Sequence, residues 1–166
     1  AAMPPFEMVK ALLVRSVQRR DRSKKIRKLM FIDVSKAHLY APVDAGANAY
    51  VDLPPECSKP GVCGKLQYCL YGMRPASHAW QEEFTRRLEG MGFVAGEASP
   101  CCSYREATCV LHGDDFTFEG PPDALKATAE EMRQFWIVEV RAVLPPEPAD
   151  DKWGFYPQSS RPLDKG

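Results

Sequence analysis

The sequence lacks any long apolar segment. No apolar run approaches the roughly 20 residues that span a lipid bilayer, and the start AAMPPFEMVK has no apolar core of the kind found in secretory signals. These absences predict a protein that neither enters the membrane nor is secreted. The expected location is intracellular, in the cytoplasm or the nucleus.

CxxC pairs are also missing, although the chain has 6 cysteines. A zinc site built from Cys57, Cys63, Cys69 and His78 would have wider ligand spacings than structural zinc sites use. An even number of cysteines in a short chain can instead form a disulfide framework, but nothing else in the sequence indicates secretion. Reduced thiols are therefore expected, with zinc and disulfides as the alternatives.

The chain has no excess of charge, since 22 basic residues offset 22 acidic ones. A uniformly basic nucleic-acid-binding coat is therefore excluded. The signs are segregated, however, with eight basic residues and one acidic residue from Arg15 to Lys28, and eleven acidic against four basic from Glu82 to Glu131. Such a basic arm suits a polyanion, whereas a solvated charged face is the alternative. The arm residues expected to contact phosphates are Arg19, Arg20, Lys24 and Lys25.

Three segments have helical periodicity. The first covers residues 5–20, the second runs from Pro75, where proline is tolerated at a helix start, to Gly92, and the third covers about 123–135. In the first segment, the apolar residues at helical spacing are Phe6, Val9, Leu13 and Val17. We expect these residues to form the buried side of that helix.

Short segments without helical periodicity predict strands. The apolar run LMFIDV indicates a buried strand that ends near Asp33. Further strands are expected at 49–53, at 62–67, on both sides of a turn at 105–107, after a turn at 112–115, and at 137–143. Strands interrupted by two long helices predict an α+β fold, with an antiparallel sheet and helices packed on one face.

Three carboxylates follow apolar strands, where charge is rare unless it is paired. Asp33 comes after LMFI, and Asp114 with Asp115 comes after Val110 and Leu111. Two unit charges about 4 Å apart repel by about 4 kcal/mol at an effective dielectric constant near 20, so converging carboxylates need cations or protons. Oxygen ligands suit Mg²⁺, which leads to the hypothesis of a two-metal phosphoryl-transfer site. Ordinary turn chemistry at these aspartates is the alternative.

The motifs around these aspartates occur in a specific order. FIDVSKAHLY is followed by AYVDLP, CGKLQYCLYGMRPASHAW, GFVAGEASPC and CVLHGDDFTFEG. This ordered set, within residues 4–143, resembles the reverse transcriptase of copia-type LTR retrotransposons. The resemblance implies a polymerase palm with a ferredoxin-like core at 31–143 and a partial fingers-like helix and basic arm at 1–30. The segment 144–166 is rich in proline and has no periodicity, so a loose tail is expected there.

The resemblance also implies roles for individual residues in an RNA-directed DNA polymerase. Asp33, Asp114 and Asp115 would be the catalytic ligands of two Mg²⁺ ions, with Mn²⁺ as a possible substitute, and the substrates would be an RNA or DNA template-primer and deoxynucleoside triphosphates. The residues expected to bind nucleotide or template are Val34, His38, Lys65, Tyr71, Gly72 and Arg74. Trp80, at the start of the helix behind the sheet, is expected to be a core residue, and surface solvation is the alternative for Lys65 and Arg74.

The sequence departs from the family pattern at several places. His38 replaces the usual aromatic residue that blocks a ribose 2′-hydroxyl, and Gly113 is expected to loosen the turn that carries the aspartates. Pro75, Ala76 and Ser77 stand where the family has Gln, Ala and Pro. No segment after Val143 resembles a thumb, so the expected protein is a palm-centred fragment of a retrotransposon-derived polyprotein. A catalytically inactive nucleic-acid-binding remnant and a ferredoxin-like scaffold are the alternatives.

Overall fold

A computed structural model of the chain describes residues 6–18, 26–44, 46–97 and 99–144. Its helices are α1 (Phe6–Gln18), α2 (Ala76–Gly90) and α3 (Pro122–Met132), with a short 3-10 helix at Ala37–Tyr40. Its strands are β1 (Lys28–Val34), β2 (Tyr50–Val51), β3 (Gly64–Lys65), β4 (Val94–Gly96), β5 (Ser99–Tyr104), β6 (Thr108–His112), β7 (Asp115–Gly120) and β8 (Val138–Leu144). The predicted helices and strands are confirmed. The short strand β4 was not predicted, because three residues are too few to show a period.

Six of the strands form one antiparallel sheet in the order β4-β5-β6-β7-β1-β8, and β2 pairs with β3 separately. The α+β class and the antiparallel sheet are therefore confirmed. Strand β1 is buried along most of its length and lies between β7 and β8, although both of these strands are distant from it in the sequence. No helix within the described residues is long and apolar enough to cross a membrane.

The chain divides into two compact units. One unit is Lys36–Met91, which contains the 3-10 helix, the β2–β3 pair and α2. The other unit contains the six-stranded sheet with α1 and α3. The candidate catalytic aspartates all belong to the sheet unit, and five of the six candidate nucleotide-binding residues belong to the other unit.

The two faces of the sheet differ in chemistry, because successive side chains of a strand alternate between them. One face carries Asp33 and, directly opposite on β7, Asp115, with Glu119 further along β7. We call it the carboxylate face. The other face carries Phe116 and Phe118, whose rings stack at 6.0 Å, and we call it the aromatic face.

Helix α3 packs on the aromatic face. Its buried residues include Leu125, Ala129 and Met132, and Trp136, just after the helix, stacks on Phe116 at 6.0 Å. The principal core of this unit therefore lies between α3 and the aromatic face. Burial of aromatic and aliphatic side chains is the main favourable contribution to folding, so this core holds the sheet together.

Helix α1 packs on the opposite face, so the prediction that helices occupy one face is wrong for this helix. Leu12 lies in one buried apolar cluster with Leu29, Val110 and Cys102, all of which belong to the carboxylate face. The predicted apolar side was also shifted, since Leu13 is 47% exposed and Leu12 is buried. Helix α1 thus covers the end of the carboxylate face that is remote from Asp33.

In the other unit, α2 packs against the 3-10 helix and buries Trp80, Phe84 and Leu88. The helix starts directly after Pro75, as predicted, and Gly92 follows its end with a φ of 83°. The core interpretation of Trp80 is confirmed, because only 2% of this residue is exposed and its ring contacts that of Phe84.

Candidate active site

The structure brings Asp33 and Asp115 together across neighbouring strands. The two residues are direct partners in the antiparallel pairing of β1 with β7, although 82 positions separate them in the sequence (115 minus 33). Directly opposite residues of an antiparallel pair place their Cβ atoms about 4.5–5.5 Å apart, on the same face of the sheet. Two candidate ligands from distant parts of the chain therefore share one edge of the carboxylate face.

Asp114 lies beside this pair in the turn between β6 and β7. His112 and Asp115 close the turn as strand partners, which leaves only Gly113 and Asp114 in the loop. Gly113 has a φ of 66°, and a two-residue loop with glycine at its first position is a favoured connection between antiparallel strands. The expectation that Gly113 loosens the turn is therefore wrong, because the glycine suits the backbone that a tight hairpin requires.

Strand β8 brings a further carboxylate to the same edge. Glu139 is the direct partner of Asp33 on the other side of β1. Asp115, Asp33 and Glu139 thus form a row across β7, β1 and β8. Glu139 was not among the predicted site residues, since one acidic residue in the alternating segment IVEVRAV is typical of any half-exposed strand.

Arg141 neutralises part of this row. Its Nη2 atom donates to Asp33 Oδ2 at 3.0 Å and its Nη1 atom donates to Glu139 Oε1 at 3.1 Å. The Asp33 side chain is 24% exposed, whereas Arg141 is 55% exposed. Asp33 is therefore paired with an arginine in this structure, while Asp115 is an exposed residue.

The donor set fits a hard divalent cation only in part. Carboxylate oxygens are the ligands that Mg²⁺ prefers, and Mg²⁺ commonly uses one or two carboxylates together with water and substrate phosphates. Within residues 6–18, 26–44, 46–97 and 99–144, however, no three His, Cys, Asp or Glu side chains lie close enough together to hold a metal ion. The backbone places two aspartates opposite each other, and the side chains do not converge on a common point.

Val34, the last residue of β1, is 1% exposed and pairs with Val138 on β8. Its side chain is part of the core, so only its backbone is available for a role beside Asp33.

In the other unit, His38 and Tyr71 contact each other. Their ring centroids are 4.7 Å apart at an interplanar angle of 58°. The His38 Nδ1 atom is buried and has no hydrogen-bond partner among the residues that the structure describes, while Tyr71 is 53% exposed. A buried polar atom without a partner is costly, and an incoming ligand could satisfy it.

The remaining candidate nucleotide-binding residues are exposed. Lys65 lies on β3 opposite Tyr50, and Arg74 precedes α2. Gly72 has a φ of 86°, and a Cβ added there would meet no atom within 4 Å. The glycine is therefore required by the backbone conformation of the turn, and the structure gives no evidence of a close approach that only glycine would permit.

Residues Arg19, Arg20, Lys24 and Lys25, together with 145–166 of the predicted tail, lie outside the described residues. Arg15 and Arg27, from the same basic segment, both contact Glu119, which is fully buried. Lys28 is also buried, at 5% exposure. The hypothesis of a solvent-facing basic arm therefore fails for Arg27 and Lys28, whose positions are set by the fold.

The cysteines form no bonds with one another. None of the six takes part in a disulfide, and Cys57 and Cys63 are exposed whereas Cys69 is buried. Burial raises the pKa of the Cys69 and Cys101 thiols, and raises that of Cys109 well above its ordinary value. Buried thiols with raised pKa values are poor nucleophiles and poor metal ligands at neutral pH.

The chain matches no protein-family model, and no curated protein matches its sequence.

Proposed function

We propose that this protein is the palm domain of an RNA-directed DNA polymerase, similar to the reverse transcriptases of copia-type retrotransposons. The observation that carries the proposal is the pairing of Asp33 with Asp115 across β1 and β7, with Asp114 in the adjoining turn. The resemblance in sequence requires these three residues to meet at one edge of a sheet. A chance similarity of motifs gives no reason for residues so distant in sequence to be strand partners.

The order of the secondary-structure elements along the chain supports the same proposal, with helix α2 contributed by the other unit. Strands β6, β7, β1 and β8 are consecutive neighbours in the sheet, and β1, α2, β6, β7, α3 and β8 follow one another in the βαββαβ order of ferredoxin-like folds, with β4 and β5 added after α2. A ferredoxin-like core is the expected frame of a polymerase palm. Fold alone does not imply function, so the assignment depends on the aspartates.

In the proposed reaction, Asp33, Asp114 and Asp115 hold the divalent cations. When bound, these cations would activate a primer 3′-hydroxyl and stabilise the charge of the leaving pyrophosphate. The paired strands fix Asp33 and Asp115, and the tight turn at Gly113 holds Asp114 beside them. His38, with its unsatisfied Nδ1 atom, and Tyr71, with its exposed ring, are proposed to contact the nucleotide or the template.

A primer-extension assay on an RNA template with Mg²⁺ or Mn²⁺ tests the proposal. We expect extension by the full chain and a loss of at least about 100-fold in the Asp114→Asn variant, because the metal ligands supply most of the charge stabilisation in such reactions. Asp123→Asn is the matched control, since Asp123 is an exposed residue in the first turn of α3. Equal activity in both variants would contradict the assignment of Asp114.

The second candidate is a catalytically inactive remnant that binds nucleic acid. It is favoured by two observations. Asp33 is paired with Arg141, and no three metal-ligating side chains come together within the described part of the chain. In the same assay a remnant would bind template-primer with strong salt dependence and would give no extension with any variant. Replacing Arg19, Arg20, Lys24 and Lys25 with Ala would then reduce the salt dependence of binding if the basic arm contacts phosphates.

A further inference from the structure

Two of the six cysteines are accessible to solvent, and both lie in one loop. These two are Cys57 and Cys63, whereas the buried cysteines are Cys69, Cys101, Cys102 and Cys109. Burial also raises the pKa of each of the four buried thiols. A thiol reacts as the thiolate and only where its reaction partner can reach it, so oxidation of the folded chain is directed to Cys57 and Cys63.

The loop that carries these two cysteines joins the paired strands β2 and β3. Its base is closed by the pairing of Val51 with Gly64, the residue directly after Cys63. This base is tightly packed, because a Cβ added at Gly64 would lie 3.1 Å from Leu53 Cδ2 and 3.3 Å from Val51 Cγ2. Cys63 is therefore held next to the fixed end of the loop.

A tight turn lies between the two cysteines and folds the loop back. The Val62 amide donates to the Lys59 carbonyl oxygen at 3.1 Å, and the central residues of the turn are Pro60 and Gly61. Gly61 has a φ of 74°, and proline followed by a residue with positive φ is typical of a type II turn. The first and last Cα atoms of such a turn lie within about 7 Å of each other. The two cysteines are thus on opposite sides of a chain reversal, with only residues 58–62 between them.

We propose that Cys57 and Cys63 form a thiol–disulfide exchange site, which a small disulfide such as glutathione disulfide oxidises to an internal disulfide. One thiolate attacks the small disulfide, forms a mixed disulfide and releases one thiol, and the other thiolate then displaces the second thiol. The chain loses two electrons and two protons, which the small disulfide takes up to become two thiols. Exposed disulfides are the readily reduced ones, so a thiol in excess reopens the loop.

The test is equilibration of the full chain in glutathione buffers, followed by alkylation of the remaining thiols, digestion with trypsin and mass spectrometry without reduction. Trypsin releases residues 37–65 as one peptide, because Lys59 is followed by proline, and this peptide contains only the cysteines Cys57 and Cys63. We expect an internal disulfide in this peptide, with half conversion when the squared thiol concentration divided by the disulfide concentration is on the order of millimolar. That range is the effective concentration of groups joined by a short flexible linker. The peptides of the four buried cysteines should stay reduced.

Two variants make the result specific to this loop. Cys57→Ser leaves Cys63 without its partner, so a mixed disulfide with glutathione should replace the internal one. Gly61→Ala strains the turn through its φ of 74°, although the added Cβ meets nothing within 4 Å, and should lower the equilibrium ratio of internal disulfide to dithiol about fivefold. The matched control is Gly90→Ala, where the added Cβ also meets nothing and no positive φ is required, so this ratio should not change.

An internal disulfide that forms in the wild type and is disfavoured by Gly61→Ala supports the exchange site. Separate uptake of glutathione by each cysteine, cross-links between chains, or equal oxidation of the buried cysteines would overturn it, as would a peptide 37–65 that stays reduced. Equal disulfide formation in the wild type and in Gly61→Ala would overturn the role of the turn. Circular dichroism checks that each variant is folded. The assay measures no primer extension, so its outcome is separate from that of the proposed function.

Discussion

The two ends of the carboxylate face differ in how their carboxylates are buried and paired with arginine. At the end covered by α1, Glu119 is fully buried and receives hydrogen bonds from Arg27, which is almost fully buried, and an ion pair from Arg15 at 3.3 Å. At the other end, the carboxylates of the Asp115, Asp33 and Glu139 row are accessible to solvent and share one arginine. The same face therefore has one balanced, buried cluster and one with negative charge in excess.

This difference separates a structural use of charge from a functional one. A buried carboxylate without a partner is expensive, and the Glu119 cluster satisfies its carboxylate with two arginines. An exposed row of like charges contributes nothing to folding and weakens the pairing of the strands that carry it. A fold that keeps such a row is explained if another cation binds there.

The largest change in stability is expected at the end of the carboxylate face that contains the buried Glu119. Glu119→Gln removes the negative charge that Glu119 places beside the buried Arg27, and removal of one partner of a buried ion pair costs about 3 kcal/mol or more. We expect the free energy of unfolding in urea to fall by this amount, at pH 7 and with or without Mg²⁺. The control is Glu130→Gln, which removes an exposed surface ion pair and should change stability by less than about 0.5 kcal/mol. If Glu119→Gln lowered the free energy of unfolding no more than the control does, the ion pairs of Glu119 would not be important for stability.

A smaller effect is expected in the turn that carries Asp114. Gly113 has a φ of 66°, and a Cβ added there would meet nothing within 4 Å, so Gly113→Ala should cost about 1 kcal/mol through the backbone conformation alone. The control is Gly90→Ala at the end of α2, where the added Cβ also meets nothing and no positive φ is required. We expect Gly90→Ala to be neutral or slightly stabilising in the same urea titration. Equal changes in the free energy of unfolding for the two variants would contradict the claim that the turn requires glycine at position 113.

Local patterns were sufficient to predict most of the fold. The strand around LMFIDV, the helix after Pro75 and the hairpin over residues 105–107 each have a period or a turn signal within a few residues. The buried side of α1 was predicted wrongly because Leu12, Leu13 and Val14 are consecutive apolar residues, and the residues that cluster with Leu12 come from β1, β5 and β6. Which face a helix covers depends on contacts that are distant in sequence.

The candidate site was predictable only in its aspartates. Asp33, Asp114 and Asp115 follow apolar segments, and this position along the chain already makes them unusual. Glu139 and Arg141 could not be found this way, because their importance comes from the pairing of β8 with β1 and from a bulge at one position. The buried role of Arg27 was missed for a similar reason, since its partner Glu119 is 92 positions away.

The smallest change in stability is expected in the row of Asp115, Asp33 and Glu139. There a substitution should stabilise the protein, whereas Glu119→Gln should destabilise it. Asp115→Asn removes one of two like charges on directly opposed residues, so without divalent cations it should raise the free energy of unfolding by about 0.5 kcal/mol. The measurement is a urea titration in EDTA, which removes divalent cations. With Mg²⁺ the wild type should be more stable than the variant, because a bound cation would stabilise the wild type more than the variant. A loss of stability in EDTA would show that Asp115 is held by the fold, and the contrast between the two ends would no longer indicate a cation site.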